Sequence, residues 1–264
     1  MSKKKNIVVV GYPKSGTTWL TRLTAELVQC PVEGFWGEPE HEEPAIEGQN
    51  RVSQYRCYKA HHDLSDLRSA SKKSIDEILY IVRDPRDVVV SGRDYFDPPR
   101  FHWFEEYVVR KIFRRIPGLE KLYDRVFHSQ DYRTRRMVNA VLYGQSHFDW
   151  CKIPWATHVR QYMNSEALVV RYEDLLETPR RECERILDHL ECERSDEHIH
   201  QSILNQSIDK KKKELKEKGE EVKLSVMNKG GGERWKHEMD SRYADRVLEE
   251  NKKPMKIVGY VKSR

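Results

Sequence analysis

The sequence predicts a single α/β domain with a central, mainly parallel β-sheet flanked by helices. Residues 7–10 are four β-branched residues in a row, typical of a strand buried on both faces, and a glycine-bounded loop and a helical pattern from Thr17 follow them. Strand-like apolar segments recur at residues 55–59, 78–82 and 168–170, with helical patterns after them. The length of 264 residues suits one large α/β domain.

Composition limits the classes of partner. Hydrophobic residues make up 38% of the chain and charged residues 34%, which allows a substantial core under a highly charged surface. The formal net charge of +5 suits an anionic ligand and is too small to require nucleic acid, so no nucleic-acid partner is expected.

The cysteines and the apolar segments indicate the compartment. The five cysteines are odd in number and form no CxxC pair, which favours reduced thiols over a disulfide framework or a zinc site. The first apolar run is too short for a signal peptide, and no window approaches the ~20 apolar residues of a membrane span. We therefore expect a cytoplasmic protein without a membrane span.

The loop after the first strand has the features of a phosphate cradle. Gly11 and Gly16 have the spacing of a GxxxxGK[ST] loop, but Thr17 stands in the lysine position and Lys14 lies inside the loop. Loop amides and a helix N-terminus that point the same way bind phosphate. Further hydroxyl donors and a flat face for a base come from Ser15, Thr17, Thr18 and Trp19. An ordinary turn with incidental polar residues is the alternative.

Two histidines follow the strand at residues 55–59. In an open α/β sheet, ligands lie beyond the carboxyl ends of the strands, where a histidine is well placed to act as a general base. His61 and His62 both satisfy this condition, and a structural histidine is the alternative.

The strand at residues 78–82 is followed by a second candidate phosphate site. Asp84 is a suitable N-cap and Pro85 a suitable first residue of a helix that carries Ser91 about two turns from its start. Arg83 at the strand end and Ser91 can together hold a phosphate. A surface cluster of ion pairs is the alternative interpretation.

These motifs resemble those of the cytosolic-type sulfotransferases that use PAPS, 3′-phosphoadenosine 5′-phosphosulfate. PKSGTTW at residues 13–19 resembles their 5′-phosphosulfate loop, and YIVRDPRDVVVSG at residues 80–92 their 3′-phosphate motif. YEDL at residues 172–175 and a glycine-rich segment at residues 229–236 follow in the family's order. The resemblance spans residues 6–260 and implies a P-loop-NTPase-like sulfotransferase fold, with PAPS as donor and adenosine 3′,5′-bisphosphate (PAP) as product.

The resemblance also implies roles for individual residues. The family's Lys-x-His pattern assigns the general base to His61 and contact with the transferring group to Lys59, with Lys14 as a third catalytic residue. The family often has proline where Asp63 stands, so His62 competes with His61. The implied donor-binding residues are Lys14, Ser15, Gly16, Thr17, Thr18, Trp19, Arg83, Ser91, Tyr172, Ser207, Asn228, Lys229 and Gly230. Asn228 replaces the family's arginine, which leaves the 3′-phosphate with one formal charge less.

The predicted reaction is sulfuryl transfer from PAPS to a hydroxyl or amine of a small-molecule, saccharide or lipid acceptor, with no required metal. Residues 97–150 are expected to form a helical acceptor-side or lid region, and residues 208–234 a mobile, basic and glycine-rich segment that covers the donor. Two alternatives remain: a P-loop nucleotide or small-molecule kinase, and a non-catalytic protein that binds a bisphosphorylated nucleotide or a sulfated polymer. The sequence predicts no oligomeric state.

Overall fold

The computed structural model describes residues 4–96, 128–144, 151–217 and 231–261, together with single residues between these ranges. The described residues form one sheet of five parallel strands. The strands are β1 (Lys5–Gly11), β2 (Val32–Phe35), β3 (Tyr55–Ala60), β4 (Glu77–Val82) and β5 (Leu168–Arg171). Their order across the sheet is β2-β3-β1-β4-β5, with β1 at the centre.

Helices cover both faces of this sheet. In chain order, those that the structure describes are α1 (Thr17–Leu27), α2 (Leu64–Ser69), α3 (Pro85–Tyr95), α4 (Gln130–Tyr143), α5 (Trp155–Met163), α6 (Tyr172–Glu177), α7 (Pro179–His189), α8 (Asp196–Asn205), α9 (Ile208–Glu217), α10 (Trp235–Glu238) and α11 (Ser241–Ile257). None of these helices has the length and apolar character needed to cross a membrane.

The core consists of two apolar layers, because side chains alternate between the faces of a strand. Val8 and Val10 of β1 pack with α3, α4, α5 and α11, whereas Ile7 and Val9 pack with α1, α7 and α8. All four of these side chains are fully buried. This is why β1 is apolar at each position from Ile7 to Val10 and could be recognised from sequence.

The predicted α/β fold with a parallel sheet is confirmed, and the four predicted strands correspond to β1, β3, β4 and β5. One region was predicted wrongly. From sequence alone, residues 31–50 are interpreted as a polar loop in which Phe35 and Trp36 either line an acceptor site or fix the loop to the core. In the structure, Val32–Phe35 instead forms the edge strand β2. Phe35 and Trp36 are buried, and the Trp36 indole N–H donates to the Leu67 carbonyl at 3.0 Å. An edge strand interrupted by Glu33 and Gly34 lacks the apolar periodicity that would reveal it.

Two further expectations concern helix ends and connecting regions. The sequence indicates that Thr178 and Pro179 begin a helix as N-cap and first residue, and α7 does begin there. The Thr178 hydroxyl does not cap α7; it donates to the Asp174 carbonyl at 3.0 Å. Much of the expected acceptor-side region 97–150 lies outside the described residues, although Gln130–Tyr143 is helical as expected. Residues 208–217 of the expected covering segment form α9, and Asn228, Lys229 and Gly230 lie outside the described residues.

Candidate active site

The carboxyl ends of four strands bring the candidate residues to one edge of the sheet. The register pairs Val10 with Ala60, Gly11 with Ile81 and Val82 with Arg171, so β1, β3, β4 and β5 all end close together. The phosphate loop, the two histidines, Arg83 and Tyr172 follow these ends directly. Motifs up to 160 residues apart in sequence therefore share one edge.

The phosphate loop between β1 and α1 is a tight turn in which the glycines are required. Lys14 and Gly16 have positive φ angles of 70° and 96°. A Cβ at Gly11 would lie 2.6 Å from the Thr17 hydroxyl, and one at Gly16 would lie 2.6 Å from Cδ2 of Tyr172. The side chains of Thr17 and Tyr172 thus approach the backbone as closely as glycine allows.

Two hydroxyls in this loop are buried without a partner. Within the part of the chain that the structure describes, Ser15 Oγ and Thr17 Oγ1 make no hydrogen bond, and both residues are almost fully buried. A buried polar group left unsatisfied costs about 1–3 kcal/mol, so these two hydroxyls fit a ligand that accepts hydrogen bonds from both. The N-terminus of the 11-residue helix α1 at the same place favours an anion.

Lys14 supplies a cation to the same loop. Its Nζ lies 3.4 Å from the centroid of the Tyr95 ring. The pKa of Lys14 is lowered from 10.5 to about 7, mainly by burial and to a smaller extent by the charges of Lys59 and Arg83. A bound anion would restore the protonated form, which makes Lys14 sensitive to whether the loop is occupied.

Lys59 on β3 is almost fully buried, and its ammonium lies 3.1 Å from both carboxylate oxygens of Glu43. Burial lowers the pKa of Lys59, and the Glu43 carboxylate opposes this shift. Sequence reasoning missed Glu43, which comes from the stretch expected to be a polar loop.

His61 is oriented by the backbone at the end of β1. Its Nδ1 lies 2.7 Å from the Gly11 carbonyl oxygen, an acceptor, so Nδ1 carries the hydrogen and Nε2 carries the lone pair. Burial, followed by the charge of Lys59, lowers the pKa of His61 well below 6.5. The ring is therefore neutral near pH 7, which is the form that can accept a proton.

His62 lies in the same cleft but has different partners. Its Nε2 is 3.6 Å from Glu38 Oε1, and burial lowers its pKa. Its backbone carbonyl accepts from His158 Nε2 at 3.1 Å and from the Tyr162 hydroxyl at 2.9 Å. Burial lowers the pKa of His158 to about 4, so its ring is neutral near pH 7. Its hydrogen bond to the His62 carbonyl fixes the backbone that carries both candidate bases.

Both histidines line an open cleft. Tyr12 and Phe35 provide aromatic surface there. The charged side chains among its described lining residues are Glu38, Asp63, Asp66 and Lys152. The described wall of this cleft is therefore net acidic, in contrast to the phosphate loop.

Arg83 joins the phosphate loop to the glycine-rich segment. Its guanidinium donates to the Lys14 carbonyl at 3.2 Å and to the Gly231 carbonyl at 2.9 Å, and it lies 4.2 Å from the centroid of the Tyr172 ring. Arg83 Nε is buried and has no hydrogen-bond partner among the described residues. The predicted grouping of Arg83 with Lys14 is therefore present in the structure.

The glycine-rich segment is also fastened to α3 by contacts that the sequence did not reveal. Asp87, in the first turn of α3, accepts from the backbone N–H of Glu233 at 2.7 Å and of Trp235 at 2.9 Å. The Arg86 guanidinium lies 3.6 Å from the centroid of the Trp235 ring. Residues 231–235 consequently lie beside Arg83.

The remaining predicted donor ligands occupy different positions. Ser91 is buried in α3, and half-buried Trp19 packs edge-to-face with Tyr172 at 5.7 Å between ring centroids. Thr18 is half-buried in the first turn of α1. Ser207 donates its hydroxyl to the Leu204 carbonyl at 2.9 Å, a bond within its own turn.

Comparison with known proteins identifies the family. A family model described as "Sulfotransferase domain" matches residues 4–259. Sulfotransferase 1E1 of Bos taurus is 25% identical over 224 residues, which cover 80% of this chain and 67% of the relative. Sulfotransferase 1 family member D1 of Mus musculus is 23% identical over 279 residues, which cover 96% and 84%.

Solved structures share the fold. The mouse sulfotransferase SULT7A1 complexed with PAP matches with a TM-score of 0.65 and 17% identity, covering 96% of this chain and 84% of the other. Retinol dehydratase in a complex with retinol and PAP matches with a TM-score of 0.58 and 16% identity, covering 100% and 84%. With the family model matching almost the whole sequence, this chain belongs to the sulfotransferase family and is a transferase enzyme.

Proposed function

We propose that this protein transfers the sulfuryl group of PAPS to a hydroxyl or amine of a small-molecule acceptor and releases PAP. One observation carries the proposal: the glycine-bounded phosphate loop combines a lysine with two buried hydroxyls that have no partner among the described residues. The first residue of this loop, Gly11, also bonds through its carbonyl to the imidazole of His61. The PAP-bound sulfotransferases that share the fold support the choice of donor.

The described residues fit such a donor at both of its phosphate ends. The Ser15 and Thr17 hydroxyls, the N-terminus of α1 and Lys14 would hold the 5′ end, because they combine unsatisfied donors with a cation. Arg83, with its buried Nε unpartnered among the described residues, and Ser91 would hold the 3′-phosphate. Bound PAPS supplies an activated sulfuryl group on a phosphate leaving group. The aromatic pair Trp19 and Tyr172 would lie beside the adenine.

His61 is the proposed general base. Its Nδ1–H bond to the Gly11 carbonyl fixes the ring and leaves Nε2 as the atom that takes the acceptor's proton. A positioned general base typically contributes ~10²–10⁴ in rate. His62 shares the cleft, but its Nε2 lies 3.6 Å from Glu38 Oε1, whereas the Gly11 carbonyl of the phosphate loop bonds to His61.

Lys14 and Lys59 are the proposed electrostatic catalysts. Each would stabilise negative charge that grows on the leaving phosphate, and fixed cations in a partly dry site are effective in this role. A sulfuryl group carries less negative charge than a phosphoryl group, so we propose that the lysines act without a metal ion.

The acceptor is proposed to be a small molecule whose reacting group enters the cleft beside His61. In its described wall, Glu38, Asp63 and Asp66 outnumber the single cation Lys152, and none of the three carboxylates pairs with a described lysine or arginine. The histidines in the wall are neutral near pH 7 because their pKa values are lowered. We therefore propose that a positively charged group near the hydroxyl favours binding.

A transfer assay tests this function. The protein is incubated with ³⁵S-labelled PAPS and a panel of phenols, alcohols, amines and saccharides, with and without EDTA. Labelled product that forms equally in EDTA supports the proposal. Turnover of ATP that requires Mg²⁺ would instead identify a kinase, and tight PAP binding without product from any acceptor would identify a binding protein.

The proposed compartment is the cytoplasm. All five cysteines are free and buried, as expected for thiols kept reduced. Fractionation of cells that produce the tagged full-length chain tests this proposal, and recovery in a secreted or membrane fraction would contradict it.

A further inference from the structure

The segment between β2 and β3 inserts a carboxylate into the donor side of the site. The Glu43 side chain is completely buried, and both of its oxygens lie 3.1 Å from the Lys59 ammonium. Lys59 itself is the next-to-last residue of the strand β3, two positions before His61, and is 7% exposed. A buried carboxylate placed symmetrically on a buried ammonium is a specific contact, not a surface ion pair.

Glu43 is held in place independently of Lys59. Its Oε1 also accepts from the Ala45 backbone N–H at 2.8 Å, and its own carbonyl accepts from the Ile46 N–H at 3.1 Å. The adjoining Glu47 contacts Arg22 of α1 at 3.6 Å and Lys211 of α9 at 2.9 Å. The segment is thus anchored to two helices, and the carboxylate is fixed by the fold.

We propose that Glu43 is a positioning residue for the sulfuryl transfer, which fixes the Lys59 side chain beside the phosphate loop and preserves its positive charge. The proposal rests on the proposed role of Lys59 in the reaction. It extends that role, because a buried amine is useful as an electrostatic catalyst only while it stays protonated.

The charges around Lys59 explain why a carboxylate is needed. Besides burial, the Arg22 guanidinium on α1 lowers the pKa of Lys59. Lys14 of the phosphate loop is also near, because besides burial the charge of Lys59 lowers the pKa of Lys14. His61, which follows Lys59 on the same strand end, is neutral because its pKa is lowered. On the other side of the carboxylate, His41 Nε2 lies 4.0 Å from Glu43 Oε2.

Removing the carboxylate should therefore shift the titration of Lys59. Burial and Arg22 lower the pKa of Lys59, whereas Glu43 raises it. The Lys59 amine should therefore lose its proton at a lower pH when Glu43 is replaced by an uncharged residue. Glu43→Gln keeps the shape and an oxygen that can accept from Lys59 and from the Ala45 N–H. It removes the charge and keeps the contacts of Oε1, while an amide nitrogen, which cannot accept from Lys59, takes the place of Oε2.

The first measurement needs no turnover. NMR of the full chain with ¹³Cε-labelled lysine follows each ammonium as a function of pH, and Lys59→Met and Lys14→Met assign the two shifted resonances. We expect the Lys59 midpoint in Glu43→Gln to fall by at least about one pH unit. An unchanged midpoint would overturn the proposal.

The second measurement is the pH profile of kcat at saturating PAPS. In Glu43→Gln we expect the alkaline limb of the profile to move to lower pH by at least about one pH unit, in step with the Lys59 midpoint, so that kcat lost at alkaline pH is recovered as the pH is lowered. Glu43→Asp, which keeps the charge, should restore most of the wild-type limb. A loss of kcat that is the same at every pH, with no rescue by Asp, would contradict a role through the charge of Lys59.

Two controls separate the possible failures. Glu42→Gln removes the neighbouring exposed carboxylate and should leave both the Lys59 titration and the pH profile unchanged. Lys59→Met should lower kcat at least as much as Glu43→Gln does. If Lys59→Met retains full activity, the proposed role of Lys59 is wrong. If Lys59→Met is inactive while Glu43→Gln behaves as wild type, only the role of Glu43 is wrong.

Discussion

The two halves of the candidate site differ in charge and in how the fold builds them. In the described part of the chain, the donor half contains the cations Lys14, Lys59 and Arg83, with the carboxylate of Glu43 on Lys59 and that of Asp87 near Arg83. The acceptor cleft contains three carboxylates, from Glu38, Asp63 and Asp66, and a single lysine. His61 lies between the halves, bonded to the loop by Nδ1 and facing the cleft. One half is suited to a fixed anionic donor, and we propose that the other selects the acceptor.

The halves also differ in which parts of the chain form them. The donor half depends on backbone features: strand ends, a turn with positive φ, a helix N-terminus and glycines where any Cβ would collide. The acceptor cleft depends on side chains from β2, the start of α2 and the segment before α5. Changes in the donor half should therefore affect every acceptor, whereas changes in the cleft should alter the choice between acceptors.

The largest effect is expected at the residue between the halves. His61→Ala should lower kcat by about 10²–10⁴ for every acceptor, because the proton of the reacting group loses its base. PAP affinity, measured by calorimetry, should change little. His62→Ala is the matched control and should retain most of the activity. A greater loss in His62→Ala than in His61→Ala would transfer the role of base to His62.

A second prediction uses the titration of Lys14. Removing one preorganised stabiliser of transition-state charge typically costs about 10²–10³ in kcat, which we expect for Lys14→Met. The pKa of Lys14 in the free protein is about 7, so above pH 7 the amine is largely neutral and must take up a proton when PAP binds. Affinity for PAP should accordingly fall as the pH rises from 6 to 9.

Proton uptake by Lys14 can be measured directly. Calorimetric titration of PAP at pH 8 in buffers of different ionisation enthalpy should show close to one proton taken up by the wild type. Lys14→Met should show less uptake and a flatter pH dependence. Equal uptake in the two proteins would assign the proton to another group.

The same contrast explains how much of the molecule can be predicted from sequence. The strands β1, β3 and β4 and the residues at their ends were predictable, because a buried parallel strand is apolar throughout and a phosphate turn demands glycine. The edge strand β2 was missed, since Glu33 and Gly34 interrupt its apolar pattern. Glu43 was missed for a related reason. Its contact with Lys59 depends on the path of an irregular segment, and that path cannot be predicted from a periodic pattern of apolar residues.

A smaller effect, on stability, tests whether the donor half depends on its backbone. Gly16→Ala places a methyl group 2.6 Å from Cδ2 of Tyr172 at a φ of +96° and should destabilise the fold by about 1–3 kcal/mol. Gly232→Ala is the matched control, because its Cβ would meet Glu173 Cγ at an ordinary 3.7 Å. Urea unfolding measures both variants, and equal stability of the two would contradict the tight turn.

The smallest effect concerns the choice of acceptor. Glu38 is about half exposed, so its field is screened by water, and a single charge there should change binding by only about threefold to tenfold. The pair Glu38→Gln and Asp66→Asn should raise KM for tyramine while leaving KM for the carboxylate 3-(4-hydroxyphenyl)propionate unchanged or lower. The two phenols share the reacting hydroxyl and differ in the charge of the side arm. Parallel changes in both KM values would show that these carboxylates do not select acceptors by charge, and the cleft's selectivity would then depend on shape.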